Sequence, residues 1–296
     1  MAAKWKTPVT WLALAIGVVL LIGAILMAAT EVNWAQLRQA EPWQVATLVG
    51  LVCVNLLVSG LLWWSVTLSF DAKPRVGFGR MLALVCASGL LNYLPLRPGL
   101  VGRAAFLKMK HDLPVRQSMW ILAVILGLSG VVLGGAAAIV QFIPLAYQYE
   151  VALAATVIMT ILVPLATGRL LKRNIIAGWL WVPVRVADVL VTAGRLWVVF
   201  EIAGKPIAYD QAVLAASAGL FVSLLGITPN GLGLREWAIA GMTNAAAGHV
   251  GFAAAIIDRG VEAIVVTITG LWAMRRVSLK EKNGKGTKVR RHEGTK

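Results

Sequence analysis

The stretch QSMWILAVILGLSGVVLGGAAAIVQFI occupies residues 117–143 and contains no Asp, Glu, Lys or Arg. As an α-helix it would be about 40 Å long at 1.5 Å per residue. This length exceeds the hydrocarbon core of a bilayer, which is roughly 30 Å thick. A segment this long and this apolar predicts a helix that crosses a membrane.

Apolar runs recur on both sides of this stretch, and the overall composition agrees with them. Hydrophobic residues make up 59% of the 296-residue chain and charged residues 14%, where a soluble domain carries about 25% charged residues. The sequence predicts an all-α polytopic membrane protein, with one integral domain over residues 1–274 and a disordered, basic tail over residues 275–296. The other runs are Val9–Ala29, Trp43–Phe70, Phe78–Leu94, Val151–Thr167, Trp179–Ile202, Gln211–Ile227 and Val250–Met274.

The cysteine, histidine and motif content excludes several kinds of chemistry. Cys53 and Cys86 lie inside apolar runs, and the three histidines are scattered along the chain. We therefore expect no disulfide framework, no metal site and no cofactor. The chain contains no Walker, G-x-S-x-G or H-E-x-x-H motif, and its basic tail lacks the interleaved aromatic residues of a nucleic-acid-binding face.

The distribution of Lys and Arg favours one topology over another. With the N-terminus in the cytoplasm, a topology of eight membrane crossings would place eight basic residues between Arg97 and Arg173 on the outer side of the membrane. Basic residues concentrate instead in cytoplasmic loops. Six crossings with two re-entrant helical hairpins, one entering from each side, keep most of them cytoplasmic. We therefore predict this arrangement in a bacterial inner membrane, with both termini in the cytoplasm.

The two predicted hairpins turn at similar sequences, L-N-Y-L-P-L-R-P-G-L-V-G-R at residues 91–103 and L-G-I-T-P-N-G-L-G-L-R at residues 225–235. Paired Gly/Pro-interrupted segments in two halves of a chain are typical of inverted-repeat transporters, whose site lies between the repeats. The predicted backbone breaks are at Pro95, Pro98, Gly99, Gly102, Pro229, Gly231 and Gly233.

Helices that begin after such breaks direct N–H groups and a partial positive charge into a cavity, which suits an anionic headgroup. Arg97 and Arg103 flank the first break, and Asn230 and Arg235 flank the second. The alternative interpretation is that these are tight turns whose arginines reach to the membrane surface.

A charged residue inside an apolar run has a high free-energy cost of insertion into a membrane. Such residues therefore mark candidate functional or structural sites. Spacing along the helix allows Asp188 to face both neighbouring arginines and allows Arg259 to pair with Glu262. The acids could hold arginines that bind a phosphate, or the whole set could be an ion-pair network that fixes two helices together. The residues concerned are Arg185, Asp188, Arg195, Asp258, Arg259 and Glu262.

Three segments between Ala83 and Met274 resemble the lysylphosphatidylglycerol synthase membrane-region family, also called flippase-like. The first is the N-Y-L-P and G-x-x-G-R-A region from Leu91, which includes Asn92. The second is TPNGLGLREWAIAGM at residues 228–242, which includes Glu236, and the third is the last helix, with Asp258, Arg259 and Glu262. The resemblance implies a lipid-translocating domain with two re-entrant hairpins, in which Asn92 and Glu236 join the residues that bind substrate.

The sequence thus predicts a lipid flippase that moves an anionic or zwitterionic lipid between leaflets. The lipid could be a phospholipid, an aminoacyl-phospholipid or a polyprenyl-phosphate-linked intermediate. The alternative is a lipid-binding accessory protein of a lipid- or envelope-modifying enzyme, which transports nothing. An enzyme acting on a lipid phosphate is disfavoured because no nucleophile and base lie in the breaks.

Overall fold

The computed structural model describes residues 8–31, 40–70, 76–93, 98–111, 113–171 and 176–293. Within these ranges the chain forms ten α-helices, two short 3₁₀ helices at Ile176–Leu180 and Pro229–Gly231, and no strand. The α-helices are α1 (Pro8–Glu31), α2 (Pro42–Phe70), α3 (Phe78–Leu91), α4 (Pro98–His111), α5 (Val115–Phe142), α6 (Leu145–Leu171), α7 (Trp181–Ile202), α8 (Tyr209–Leu225), α9 (Leu234–Ala247) and α10 (Val250–Glu293).

Helices α2, α5 and α6 are long and apolar enough to cross a membrane. The apolar stretch at residues 117–143 lies almost entirely within α5. Helix α6 leaves most of its apolar surface uncovered by protein. Lipid is the environment in which such a surface has no hydration cost.

Two pairs of shorter helices occupy the positions of the predicted hairpins. Helices α3 and α4 pack against each other, and each has 14 residues, so each is about 21 Å long. Helices α8 and α9 also pack against each other, with 17 and 14 residues. Three of these four helices are well short of the roughly 30 Å hydrocarbon core.

The turn between α8 and α9 requires glycine at defined positions. Gly226 ends α8 with φ of 70°, and Gly231 and Gly233 have φ of 73° and 78°. A Cβ on Gly233 would lie 2.6 Å from the carbonyl oxygen of Gly17 in α1, so α1 packs directly on this turn. Asn230 has φ of 49°, a conformation that Asn tolerates better than most residues.

Not all of the residues predicted to break the backbone in the first hairpin do so. Pro98 begins α4, a position where a missing N–H costs nothing, and Gly99 and Gly102 lie inside the helix. Gly102 therefore does not break the backbone, and a Cβ there would meet nothing within 4 Å. Pro95 and Arg97 lie outside the described residues.

Helix α7 and residues 250–259 of α10 form much of the interior of the molecule. Most of one side of α7 is buried, and α10 packs against α1, α3, α7 and α9. Helix α10 also continues from Met274 to Glu293, through the segment for which the sequence predicts disorder. Arg, Lys and Glu between residues 275 and 282 are good helix formers that can extend a helix already begun in the apolar part, whereas Asn283, Gly284 and Gly286 are poor helix formers.

Candidate functional site

Six charged side chains converge where α7, α9 and α10 meet, and we call them the charge cluster. Their formal charges cancel, since three are arginines and three are carboxylates. Helix α7 supplies one of them, α9 supplies two and α10 supplies three. They are Arg195, Arg235, Glu236, Asp258, Arg259 and Glu262.

Four of these residues form a closed network of ion pairs. Arg195 Nη2 lies 2.7 Å from Asp258 Oδ1 and 2.8 Å from Glu262 Oε2. Arg235 Nη2 lies 2.8 Å from Asp258 Oδ2, and its Nη1 lies 2.8 Å from Glu262 Oε2. Arg195 and Asp258 are almost completely buried. Because each guanidinium is shared by two carboxylates, each charge in this network is compensated.

Arg259 is the point at which the turns of the two hairpins meet. Its Nη2 donates a hydrogen bond to the carbonyl oxygen of Asn230, at 2.7 Å, in the turn between α8 and α9. Its Cζ lies 5.2 Å from the centre of the Tyr93 ring, next to the end of α3. The two hairpins are thus brought together by one guanidinium of α10.

Beside Arg259, the charge cluster contains hydrogen-bonding capacity that the protein does not use. The side chain of Glu236 is 1% exposed, and neither of its carboxylate oxygens has a hydrogen-bond partner among the described residues. Arg259 Nε, which is also without a hydrogen-bond partner, lies 3.8 Å from Glu236 Oε1. A buried carboxylate without a donor is costly, so this pair is the part of the charge cluster best suited to a ligand.

The local sequence of α9 and α10 determines where the side chains of the charge cluster lie. Gly233 is the N-cap of α9, so Arg235 and Glu236 fall in its first turn, where the helix dipole favours a carboxylate. Asp258 and Glu262 are four residues apart on α10 and share a face. Arg259, which is offset by one residue from Asp258, reaches the turn between α8 and α9. Its Nη1 also lies 3.9 Å from Glu262 Oε1, the pair that their spacing predicts.

A second group of polar residues links α7 to α2. Arg185 pairs with Asp188, as their spacing predicts. The Asp188 carboxylate also accepts a hydrogen bond from Asn55 Nδ2, at 2.7 Å, and one from Ser59 Oγ, at 3.5 Å. Asp188 does not pair with Arg195, because the seven-residue offset is about 10 Å along the helix and Arg195 is bound by the acids of α10.

In the first hairpin, Arg103 is buried and has no carboxylate partner among the described residues. Its guanidinium donates to Ser88 Oγ and lies over the Trp63 ring, 3.8 Å from the ring centre. Within the part of the chain that the structure describes, its Nη1 has no hydrogen-bond partner, and neither has Asn92 Oδ1. A Cβ on Gly99 would collide with Asn92 and the Ser88 carbonyl, so only glycine allows α4 to approach α3 this closely.

Sequence reasoning missed the partners that come from other helices. Asn55 and Ser59 could have been noticed as polar residues in an apolar run. Tyr93 and Trp63 gave no such signal, because aromatic residues are common at the ends of membrane helices. Their roles beside Arg259 and Arg103 follow from packing alone.

Comparisons of the chain with protein-family models, with curated proteins and with solved structures return no match. What the chain does must therefore be inferred from the chemistry of the charge cluster and the two hairpin turns.

Proposed function

We propose that this protein moves the headgroup of an anionic or zwitterionic lipid between the leaflets of a bacterial cytoplasmic membrane. The headgroup would pass the two hairpin turns while the acyl chains remain in lipid. Such a path lowers the desolvation cost that makes unassisted flipping slow. The family resemblance of the hairpin segments and of α10 supports the same function.

The observation that carries this proposal is the unused pair at Arg259 and Glu236. A guanidinium donor and a carboxylate acceptor lie 3.8 Å apart without a hydrogen bond between them. A lipid phosphate can accept from the arginine, and a hydroxyl or ammonium group of the same headgroup can donate to the glutamate. A buried carboxylate that serves only as a structural partner would be hydrogen-bonded, as Asp258 is.

The proposed topology has six crossings and two re-entrant hairpins in an inverted repeat, with both termini in the cytoplasm. It is supported by the shortness of α3, α4 and α9 and by the distribution of basic residues. In a variant lacking Cys53 and Cys86, a cysteine at Lys108 should react with an impermeant thiol reagent only from the cytoplasmic side. A cysteine at Lys205 should react only from outside, and labelling of position 108 from outside would contradict this topology.

Reconstituted transport tests the function directly. Purified protein in liposomes should accelerate the loss of fluorescence of labelled phospholipids to an impermeant quencher. Glu236→Gln and Arg259→Lys should each slow this process about 10- to 100-fold, the equivalent of one hydrogen bond to a charged group. Arg80→Lys is the matched control, because Arg80 is exposed at the start of α3, and it should leave the rate unchanged.

The liposome test must cover several lipids and energy sources. No ATP-binding motif is present in the sequence, so the assay should be run with and without a proton gradient. Phosphatidylglycerol, phosphatidylethanolamine, an aminoacylated phospholipid and a polyprenyl phosphate are the lipids to compare. If the wild type accelerates none of them under either condition, translocation is wrong.

One observation favours the accessory-protein alternative. In the network of Arg195, Arg235, Asp258 and Glu262, each guanidinium donates hydrogen bonds to both carboxylates. Such a network suits a rigid scaffold that binds a lipid or a lipid-modifying enzyme without transport. Lipid binding that depends on Arg259, together with no transport of any lipid, would establish this alternative.

A further inference from the structure

A cavity of about 200 Å³ lies between α5, α6, α7 and the first residues of α8. None of the charge-cluster residues lines it, and no described residue of either hairpin turn does. Small residues, including Gly135, Ala136, Ala152 and Ala155, create the space because their side chains do not fill the gap between helices. The cavity is therefore separate from the site at Arg259.

The polar residues of this cavity are confined to one end. Gln148 and Tyr149 lie at the start of α6, and Tyr209 and Asp210 lie at the start of α8. Tyr209 donates to the Leu190 carbonyl oxygen, at 2.9 Å, and Gln148 donates to carbonyl oxygens at the end of α5. Below this rim the lining is apolar apart from Thr156, whose hydroxyl donates to Ala152.

The depth of the cavity matches one leaflet of a bilayer. From Gln148 to Met159 its wall extends about 16 Å along α6, and from Val140 to Val131 it extends about 14 Å along α5, at 1.5 Å per residue. Half of the hydrocarbon core is roughly 15 Å thick. A single lipid acyl chain that enters at the rim would thus end near the bottom of the cavity.

The charge of the rim indicates which headgroup would accompany that chain. Asp210 carries the one formal charge among the described residues that line the cavity, and no lysine or arginine lines it. Asp210 Oδ1 accepts the N–H of Gln211, at 2.9 Å, which holds the carboxylate at the rim. A carboxylate at this position attracts an ammonium group and repels a purely anionic headgroup.

We propose that this cavity is a binding site for one acyl chain of a membrane lipid whose headgroup carries an ammonium group, held at Asp210. An apolar cavity in a protein stays dry and takes up apolar ligands, and in a membrane the lipid chain is the apolar ligand at hand. The assignment depends on the α5–α6–α7 cavity alone. It therefore stands or fails independently of transport at Arg259.

The experiment uses the full chain in nanodiscs that contain a phosphatidylethanolamine with a photoactivatable diazirine at mid-chain. After illumination, peptide mass spectrometry should find the label on residues lining the cavity, such as Val186 and Met159. Gly135→Leu and Ala155→Leu should each lower this labelling roughly tenfold, because each added side chain displaces a few methylene groups of the lipid.

Matched controls come from the neighbouring residues. Gly134→Leu and Ala154→Leu add the same side chain one position away, on residues that do not line the cavity, and should leave the labelling unchanged. Equal labelling in lining and control variants would overturn the acyl-chain assignment. Two lining variants on different helices keep the test decisive if one of them fails to fold.

A second arm tests the headgroup. A phosphatidylglycerol probe with the same acyl chain should label the cavity several-fold less than the phosphatidylethanolamine probe, and Asp210→Asn should remove that difference. Equal labelling by both probes in the wild type would overturn the assignment of the ammonium headgroup. Loss of transport in Arg259→Lys with unchanged labelling would separate this cavity from the translocation site.

Discussion

The two hairpins have similar turn sequences but different electrostatic surroundings. In the second hairpin, Arg235 is held by two carboxylates of α10, each at 2.8 Å. In the first, Arg103 meets the Trp63 ring and the Ser88 hydroxyl, and no carboxylate among the described residues pairs with it. The same residue type in a similar motif is ion-paired in one hairpin, while in the other it has an aromatic ring and a hydroxyl as its partners among the described residues.

The difference arises from which part of α10 each hairpin contacts. The second hairpin meets the segment from Asp258 to Glu262, which carries two carboxylates. Tyr93 of the first hairpin contacts Arg259, but helix α3 packs on a later segment, where Gly89 approaches Val266 and a Cβ on Gly270 would lie 3.0 Å from the Cys86 carbonyl oxygen. Residues 266–270 of α10 contain no acid. A pseudo-repeat in sequence therefore does not imply a repeat in electrostatic environment.

The largest effect is expected from Arg235→Met. Removing this guanidinium leaves fully buried Asp258 with Arg195 as its one arginine partner among the described residues, while Glu262 keeps Arg195 and, at 3.9 Å, Arg259. Breaking a buried pair from one side costs about 3–5 kcal/mol. Thermal unfolding in detergent should report this loss, and Arg80→Met at an exposed position is the control. A loss below about 1 kcal/mol, the range of exposed pairs, would show that the network does not hold the second hairpin.

A smaller but still substantial effect is expected from Gly233→Val. The residue has φ of 78°, and a Cβ would lie 2.5 Å from Leu20 Cβ. Strain of about 1–3 kcal/mol should combine with displacement of α1 from the turn, so transport should be lost with part of the stability. Gly231→Val, with φ of 73°, should behave in the same way.

The control for these turn variants is Gly241→Val in α9. A Cβ there would meet nothing within 4 Å, so only the difference in helix propensity remains. If Gly241→Val impaired transport as much as Gly233→Val does, the close approach of α1 to the turn would not be the reason that glycine is needed.

The contact of α10 with the first hairpin is tested by Gly270→Leu. The new side chain would collide with Leu90 and with the Cys86 carbonyl. Overpacking of this kind costs about 1–3 kcal/mol, and the unfolding midpoint should fall accordingly. Gly260→Leu, at an exposed position on the same helix with open space around it, should have little effect, and an equal fall in both would argue against this contact.

The smallest effect on stability is expected from Arg103→Met, although Arg103 is as buried as Arg235. Methionine keeps the apolar contact with Trp63 and removes an uncompensated buried charge, so no acid is left unpaired. The free energy of unfolding should change by about 1 kcal/mol or less, or increase. A loss comparable to that of Arg235→Met would mean that the two hairpins are not electrostatically different.

Much of the helical architecture could be predicted from the sequence, since it follows from local patterns. The run Gln117–Ile143 corresponds to α5 (Val115–Phe142), and Trp179–Ile202 corresponds to α7 (Trp181–Ile202). Spacing along one helix was enough to predict the pair Arg185–Asp188. Membrane helices satisfy their own backbone groups and expose apolar side chains, so length, hydropathy and i,i+3 spacing already contain this information.

Only the tertiary structure decided which charges meet. Arg195 pairs with the acids of α10 and not with Asp188, and Arg259 joins the two hairpin turns through Asn230 and Tyr93. Spacing along a helix places a side chain on a face, but helix packing determines what that face meets. The uncompensated Arg103 and the apolar cavity beside α6 arise in the same way, from contacts between helices that are distant in the sequence.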